Sequence, residues 1–377
     1  MQSTPYTPGA DQEWQTVTAE AAGFDAARLA DAITFHRAHE TAWPRSMYHP
    51  DGRYVGTVHA GDRDEYAEVI GPVRARGEPN GVILRGGKLV AEWGDTRRAD
   101  MTFSVTKSYL SLLTGIAVAD GLIPDIDRPV RADVNAEWFE SPHNAPITWR
   151  HLLQQTSEWQ GTLWGKPDAA DHNRAVGGTT GGREDNGVKR TLKQPGAHFE
   201  YNDVRVNLLA ACLTLRFGRA LPEVLKERVM DPIGASVDWE WHAYRNAFVE
   251  IDGRPVASVP GGGHWGGGMM IGSRDHARMG ILVANGGDWG GRQIVPRQWV
   301  QAMFTPSPAL DQYGLMWWLN AGGSKRYPSA TEASVFGQGA GASIVWIEPD
   351  LDLVAVVRWI ASDAANDFLG RVLAALR

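Results

Sequence analysis

The run "TFSVTKSYLSLLTGIAVADGLI", residues 102–123, carries a serine and a lysine three positions apart, Ser104 and Lys107. In a helix, residues i and i+3 lie on one face, so the two side chains can touch. The partial positive charge of a helix N-terminus and apolar surroundings both favour a neutral amine, which can take the serine proton. This pairing is typical of an activated nucleophile. A helix N-cap followed by a surface lysine is the simpler interpretation of the same residues.

A tyrosine stands in the stretch "HFEYNDVRVN", between a Pro-Gly turn and a predicted helix that begins near Asp203. At such a break the phenol of Tyr201 can point into a cleft. A tyrosine next to a cation can move a proton during catalysis. The alternative is a packed ring whose hydroxyl caps a neighbouring group.

Glycines open a predicted strand in "VFGQGAGASIVWI", at Gly337, Gly339 and Gly341. Glycine lets a strand approach a substrate closely and turn its N–H groups toward it. A loose hairpin loop is the alternative. The stretch is not a dinucleotide-binding fingerprint, because it begins a strand where that motif ends one and opens a helix.

The elements around these residues predict an α/β (α+β) fold. Strand patterns occur near both chain ends, including a hairpin over residues 80–95 with Gly-Gly at its turn. Helical patterns and loops fill the region between them. We therefore expect an antiparallel sheet flanked by helices in a discontinuous domain of residues 1–124 and 240–377. An all-α domain of residues 125–239 would close over it, with Ser104 at the junction.

Composition excludes several classes of protein. The 377-residue chain has a net charge of -7 and no Lys/Arg run, so no nucleic-acid partner is expected. No apolar run is long enough for a membrane span. The first residues lack the pattern of a secretory signal, so the expected location is cytoplasmic. The single cysteine, Cys212, cannot form an intrachain disulfide and is expected to pack as a small hydrophobe.

Taken together, the motifs resemble the three boxes of the penicillin-recognising serine hydrolases. This group comprises class C β-lactamases, DD-peptidases, family VIII carboxylesterases and 6-aminohexanoate-dimer hydrolases. The matching boxes, in chain order, are Ser104/Lys107, Tyr201-Asn202-Asp203 and Gly337-Gln338-Gly339. Supporting stretches are "ITWRHLLQQTSEWQG", "GGHWGGGMMIGSRDHARMG" and "YGLMWW". The resemblance spans roughly residues 80–377.

The resemblance implies a role for each matched residue. Ser104 would be the acylated nucleophile and Lys107 its base. Tyr201 would protonate the leaving group and later help to activate water. The backbone N–H groups of Ser104 and Ala340 would form the oxyanion hole.

Two departures from the family pattern bear on the substrate. Asp203 stands where the second box has Asn, and Gly337-Gln338 stand where β-lactamases have Lys-Thr. A cation and a hydroxyl that would hold a β-lactam carboxylate are therefore missing. The expected substrate is a small ester or amide, with weak or no β-lactamase activity. The residues expected to bind it are Asp203, Gly337, Gln338, Gly339, His264 and Trp265, and the cleft is expected to include Trp159 and Trp317.

Other functional classes fit the sequence less well. An α/β-hydrolase needs Gly-x-Ser-x-Gly, which is absent from the sequence. The His-x-x-x-His pair with a Glu that would indicate a metallohydrolase is absent as well. We expect no metal and no cofactor. A β-lactamase, a DD-peptidase-like enzyme and a sensor or scaffold that is acylated without turnover remain alternatives. Subunit number is not indicated.

Overall fold

The computed structural model describes residues 6–10, 14–176, 183–323 and 325–377. Small parts of the two predicted domains, residues 1–5, 11–13, 177–182 and 324, lie outside the described residues. The helices of the described part are α1 (Ala26–Ala38), α2 (Val55–Ala60), α3 (Thr106–Ala119), α4 (Trp149–Leu153), α5 (Asp203–Phe217), α6 (Leu221–Leu225), α7 (Ser273–Ala284), α8 (Arg297–Met303) and α9 (Ala365–Ala374).

Most strands come from the two ends of the chain. They are β1 (Asn80–Arg85), β2 (Lys88–Trp93), β3 (Asp100–Met101), β4 (Thr162–Leu163), β5 (Lys166–Pro167), β6 (Glu240–His242), β7 (Phe248–Ile251), β8 (Arg254–Ala257), β9 (Gly268–Ile271), β10 (Asp288–Trp289), β11 (Arg292–Gln293), β12 (Trp318–Leu319), β13 (Val335–Gly339), β14 (Ser343–Glu348) and β15 (Leu353–Arg358).

A six-stranded antiparallel sheet with the order β12-β13-β14-β15-β1-β2 forms the centre of the structure. It joins strands from both chain ends, which confirms the predicted sheet and fold class. The predicted hairpin turn between β1 and β2 is also confirmed, with Gly86 and Gly87 at φ values of 58° and 71°. Such angles are readily adopted by glycine because it has no Cβ.

The two faces of this sheet pack against different helices. Successive residues of a strand point to opposite faces. Val82 packs in the same apolar cluster as Ile281 of α7. Its neighbour Ile83 packs with Leu29 of α1 and Phe368 of α9. The sheet is therefore buried on both faces, and the C-terminal helix is one of its covers, as predicted.

A second, three-stranded sheet has the order β3-β9-β6, and its strand β3 comes directly before the turn that holds Ser104. The described residues of the region 125–239 form helices, short helical turns and loops, with one two-residue strand pair, β4 and β5. The division into two domains remains a prediction. No helix of the described residues is long and apolar enough to cross a membrane.

The start of α3 differs from the prediction. Ser104 precedes the helix, in a single 3₁₀ turn formed by Phe103–Val105. Phe103 has a φ of 51°, which no α-helical residue adopts, so the α-helix begins only at Thr106. Ser104 is thus presented from a tight turn that the buried helix α3 supports.

Arg358 ties the two sheets together from a fully buried position at the end of β15. Its guanidinium donates to Ser343 Oγ at 2.9 Å, to the Ile271 carbonyl at 3.0 Å and to the Met101 carbonyl at 2.8 Å. Ile271 and Met101 belong to β9 and β3. Burial lowers the pKa of Arg358 to about 10, so the side chain still carries its charge at neutral pH.

We predict that Arg358→Met lowers the free energy of unfolding by about 3 kcal/mol, because buried carbonyl groups lose a charged donor. Urea unfolding followed by tryptophan fluorescence measures the change. Arg53→Met is the matched control, since the Arg53 side chain is 64% exposed and pairs only with Asp51 in the described contacts. The control should stay within about 0.5 kcal/mol of the parent. Equal losses for the two variants would contradict the proposed tie between the sheets.

Candidate active site

Ser104 and Lys107 are in contact. The Lys107 ammonium nitrogen Nζ lies 2.8 Å from Ser104 Oγ, across the junction between the 3₁₀ turn and α3. Lys107 is buried, while Ser104 is partly exposed to a cavity. The simpler interpretation of Lys107 as a surface lysine is therefore wrong, and the spacing of the motif does bring the two groups together.

The surroundings of Lys107 are charged rather than apolar, contrary to the expectation from sequence. Its Nζ lies 2.5 Å from Asp203 Oδ1 and 3.4 Å from the Gly261 carbonyl oxygen. The Tyr201 ring centroid is 4.7 Å from the same nitrogen. The Asp203 carboxylate lies close enough to stabilise a positive charge on Lys107 strongly in this buried setting.

Asp203 begins α5 and is buried among cations. Burial alone would raise its pKa, but Lys107 and Arg174 hold the pKa of Asp203 well below its usual value. Arg174 Nη1 donates to Asp203 Oδ2 at 2.9 Å. Arg205, two residues further along the chain, has a different partner: its Nη1 donates to Glu158 Oε1 at 3.0 Å.

His264 lies behind Asp203 and contacts carboxylates with both ring nitrogens. Its Nε2 is 2.7 Å from Asp62 Oδ1, and its Nδ1 is 3.1 Å from Asp203 Oδ2 and 3.5 Å from Asp171 Oδ1. Burial alone would lower the pKa of His264, but Asp62 and the other two carboxylates raise it to about 9. His264 is therefore an imidazolium at neutral pH.

The same residues bear on the question of a metal site. Asp62, Asp171 and His264 place three oxygen or nitrogen atoms within 4.8 Å of one another. A histidine must offer a lone pair to bind a metal, whereas both nitrogens of His264 face carboxylates as donors. The guanidinium of Arg174 also lies against this group, at 3.4 Å from His264 Nδ1. The cluster therefore fits an ion network better than a metal site.

Tyr201 lies where its ring borders both Lys107 and the cavity that exposes Ser104. The ring stacks on Trp318, with centroids 5.7 Å apart and planes 22° apart. A second cation, the Arg174 guanidinium, lies 5.6 Å from the centroid of the Tyr201 ring. Asn202, the next residue, caps α5 by accepting the Arg205 N–H at 3.2 Å. The cap fixes the break from which Tyr201 enters the site.

Strand β13 passes directly against the turn that holds Ser104. A Cβ added to Gly339 would lie 2.1 Å from the Thr102 carbonyl oxygen and 3.2 Å from the Ser104 nitrogen. Only glycine permits this approach. Ala340 follows the strand and lines the cavity with Ser104. A Cβ at Gly337 would face Ser108 and Val105 rather than the cavity, at 3.2 and 3.3 Å.

The cavity at Ser104 has a volume of about 540 Å³. Its cationic lining residues are Arg174, Lys325 and Arg326, and no described lining residue is acidic. The predicted residues Gln338 and Gly339 line it, whereas Asp203, Gly337, His264 and Trp265 do not. The tryptophan at the cavity is Trp318, because Trp159, Trp265 and Trp317 are fully buried elsewhere.

Arg326 supplies a positive charge next to Gln338, in the strand box where β-lactamases have Lys-Thr and this chain has no lysine. Its Nε and Nη2 donate to Gln338 Oε1 at 2.9 and 2.7 Å. Its guanidinium also stacks on Trp318 at 4.0 Å from the ring centroid. Gln338 therefore orients an arginine at the cavity wall, and the inference that the cleft lacks a cation is wrong.

The residues of the ion network and the cavity wall that were missed from sequence include Asp62, Asp171, Arg174 and Arg326. Asp62 and Arg174 lie in loops, and neither loop has a periodic pattern that would predict its neighbours. The available signal was Asp203 itself, since a buried carboxylate requires cationic partners. For Arg326, the missing lysine in the strand box could have prompted a search for a substitute.

Comparison with known proteins identifies relatives of this chain in sequence and in fold. The 6-aminohexanoate-dimer hydrolase of Paenarthrobacter ureafaciens is 25% identical over 304 residues, covering 73% of this chain and 70% of that protein. A β-lactamase structure from Mycobacterium bovis has a TM-score of 0.53 at 21% identity and covers 80% of this chain and 93% of its own. The octameric penicillin-binding protein homologue from Pyrococcus abyssi has a TM-score of 0.54 at 19% identity, with 79% and 72% covered. At these identities the two structures show a shared fold.

The sequence model of the Beta-lactamase family matches residues 81–368, which include Ser104, Tyr201 and β13. This match covers most of the chain and all three boxes identified from the sequence. The chain therefore belongs to the Beta-lactamase family and is a hydrolase of the β-lactamase fold.

Proposed function

We propose that the protein is a serine hydrolase that forms an acyl-enzyme on Ser104 and cleaves small esters or amides. The observation that carries this proposal is the 2.8 Å contact between Lys107 Nζ and Ser104 Oγ at the wall of a cavity. A nucleophile, a base within hydrogen-bond reach and a third group that orients the base form the usual arrangement for such chemistry. Here the third group is Asp203.

Acylation requires the Lys107 ammonium, which donates to Ser104 Oγ in the structure, to release one proton to solvent first; Ser104 Oγ then attacks the substrate carbonyl carbon while its own proton passes to the resulting Lys107 amine. The Asp203 carboxylate stabilises the ammonium that results, as a carboxylate stabilises the imidazolium in a Ser-His-Asp triad. The oxyanion is assigned to the backbone N–H groups of Ser104 and Ala340, each worth a few kcal/mol in the transition state. The C–O or C–N bond to the leaving group then breaks.

Tyr201 is assigned to the leaving group, which must gain a proton when an amine departs. Its ring contacts the Lys107 ammonium and also lines the cavity, and we assign to its phenol the transfer of a proton between the two. Water then attacks the acyl-enzyme, the proton transfers run in reverse, and the carboxylic acid is released. An amide substrate needs this proton more than an activated ester does. The relative named as a 6-aminohexanoate-dimer hydrolase supports testing amides as well as esters.

The charge of the cavity favours a substrate that carries an anionic group. The sequence argument against carboxylate recognition relied on the missing Lys-Thr pair at Gly337-Gln338, and it placed the acidic Asp203 among the residues that bind the substrate. In the structure, Asp203 is enclosed by Lys107, Arg174 and His264, and Arg326 lines the cavity. The physical reason for weak β-lactam recognition therefore does not hold, and β-lactam hydrolysis is the second candidate function.

We predict that a fluorophosphonate forms a single covalent adduct on Ser104, which intact-protein and peptide mass spectrometry would locate. Ser104→Ala should form no adduct and lose esterase activity by a factor of about 10³ or more. Ser111→Ala is the matched control, since Ser111 lies on α3, which follows the Ser104 turn, and its Oγ has no hydrogen-bond partner among the described residues. An adduct at another residue would end the serine-hydrolase proposal. An adduct from a substrate ester without turnover would identify an acylated sensor.

A second prediction concerns substrate charge. The mono-p-nitrophenyl ester of adipic acid should have a kcat/KM about tenfold or more above that of p-nitrophenyl hexanoate, which has the same acyl chain length. A charge-assisted contact with Arg326 contributes roughly 1.5–3 kcal/mol, and each 1.4 kcal/mol is tenfold. Arg326→Gln should remove this preference while changing the neutral ester by less than about threefold.

Nitrocefin, which also bears a carboxylate, tests the second candidate function in the same series of measurements. If the neutral ester is the better substrate of the parent enzyme, or if Arg326→Gln affects both esters equally, the assignment of Arg326 to substrate binding fails. The assignment of Ser104 would be unaffected by that result.

A further inference from the structure

His264 lies at the centre of a buried set of alternating charges next to the proposed nucleophile. Each ring nitrogen faces a carboxylate, Asp62 on one side and Asp203 on the other, at 2.7 and 3.1 Å. The side chains of His264 and Asp62 are each 1% exposed, and that of Asp203 is 3% exposed. Water therefore contributes little to screening within this set.

This set holds equal numbers of basic and acidic side chains, and among the acids burial raises the pKa of Asp171. The cations are Lys107, Arg174 and His264, and the anions are Asp62, Asp171 and Asp203. Lys166 lies just outside the set, where its ammonium donates to the backbone carbonyls of Tyr66 and Glu68. Removing one charge from such a set leaves another buried charge without its partner, which is costly.

The two oxygens of Asp203 are divided between different partners. Oδ2 receives Arg174 Nη1 at 2.9 Å and His264 Nδ1 at 3.1 Å. Oδ1 is left for Lys107 Nζ at 2.5 Å. The orientation of the carboxylate therefore determines where Lys107 lies, and Lys107 in turn meets Ser104 Oγ at 2.8 Å.

Asp62, the residue of this set that lies on the far side of His264 from Asp203, is itself held by further contacts. Asp62 Oδ2 accepts the indole N–H of Trp265 at 2.9 Å, and the His264 and Trp265 rings stack with centroids 4.1 Å apart. Asp62 is thus held by two neighbouring residues of the loop that precedes β9. Asp203 is also held through its backbone, because its N–H donates to Asp171 Oδ2 at 2.7 Å.

We propose that His264 is a positioning residue for the Ser104–Lys107 pair. As an imidazolium clamped by Asp62, it holds the Asp203 carboxylate so that Oδ1 orients Lys107 onto Ser104. The inference rests on the proposed function, since it gives the base Lys107 a defined geometry. His264 touches no substrate, because it does not line the cavity.

The experiment is a double-mutant cycle on His264 and Asp203, with the second-order rate of Ser104 labelling by a fluorophosphonate as the readout. His264→Gln should lower this rate by about tenfold or more, because a neutral amide cannot donate to both Asp62 and Asp203. For an ester substrate, kcat should fall by the same factor while KM changes by less than about twofold. Asp62→Asn should have a smaller effect of the same kind, since its amide oxygen can still accept from His264.

The cycle separates a positioning role from a structural one. Asp203→Asn removes the carboxylate that His264 is proposed to hold in place. The double variant Asp203→Asn/His264→Gln should therefore label less than about threefold more slowly than Asp203→Asn alone. If the two losses are additive, or if His264→Gln lowers thermal stability with no change in labelling rate, the positioning role is wrong. If the parent protein does not label at Ser104, the proposed function itself fails, and the cycle distinguishes this case at its first measurement.

The imidazolium state of His264 has its own test in the pH dependence of stability. The pKa of His264 is raised from 6.5 to about 9 in the fold, mainly by Asp62 against the opposing effect of burial. A raised pKa contributes stability that is fully present below the ordinary value and is lost as pH rises through the folded one. The urea-measured difference in stability between the parent and His264→Gln should therefore shrink between pH 6.5 and pH 10. A constant difference across this range would show that His264 is not a buried cation.

Discussion

The buried ion pair between Lys107 and Asp203 is the interaction on which the organisation of the site depends. A carboxylate and an ammonium removed from water are stable only when their remaining hydrogen-bonding capacity is satisfied. Lys107 meets this requirement through Ser104 and the Gly261 carbonyl, and Asp203 through Arg174 and His264. The loops that carry these partners must therefore pack against the start of α5, which explains why irregular segments of the chain are so well buried here.

Close approach of backbone to backbone is the second constraint. Strand β13 can pass within contact of the Ser104 turn only because Gly339 has no side chain. Phe103 takes the left-handed conformation one residue before the nucleophile, an unfavourable geometry that the surrounding packing must maintain. Both features bring Ser104 and Ala340 to the same cavity. The unfavourable backbone conformation of Phe103 and the close strand approach at Gly339 therefore occur where the proposed chemistry needs backbone N–H groups.

Periodic and local features were predictable from the sequence. The Gly-Gly hairpin, the alternating strands of the central sheet and the terminal helix follow from patterns within short windows, and the pairing of Ser104 with Lys107 follows from helical spacing. The position of Asp203 was predictable, but its partners were not. Asp62 and Arg174 lie 141 and 29 residues before it in the chain. Their contacts depend on loop conformations that no periodicity encodes. Arg326 was missed for the same reason.

The separation between buried and accessible charge decides what the cavity can recognise. The three acidic side chains of the ion network are matched by three cations, of which Lys107 and His264 lie behind the cavity wall and Arg174 lines it, so this network presents little net charge to a ligand. Arg326 and Lys325 lie on the cavity side, and no described lining residue is acidic. Because the Arg326 guanidinium is held by the neutral oxygen of Gln338 and by the face of Trp318, these two contacts orient its charge without cancelling it. The two departures from the family pattern thus concern different parts of the site. The negative charge of Asp203, which replaces Asn in the second box, is paired with cations inside the ion network. The positive charge missing from the third box is supplied at the cavity by Arg326, which comes from a neighbouring loop.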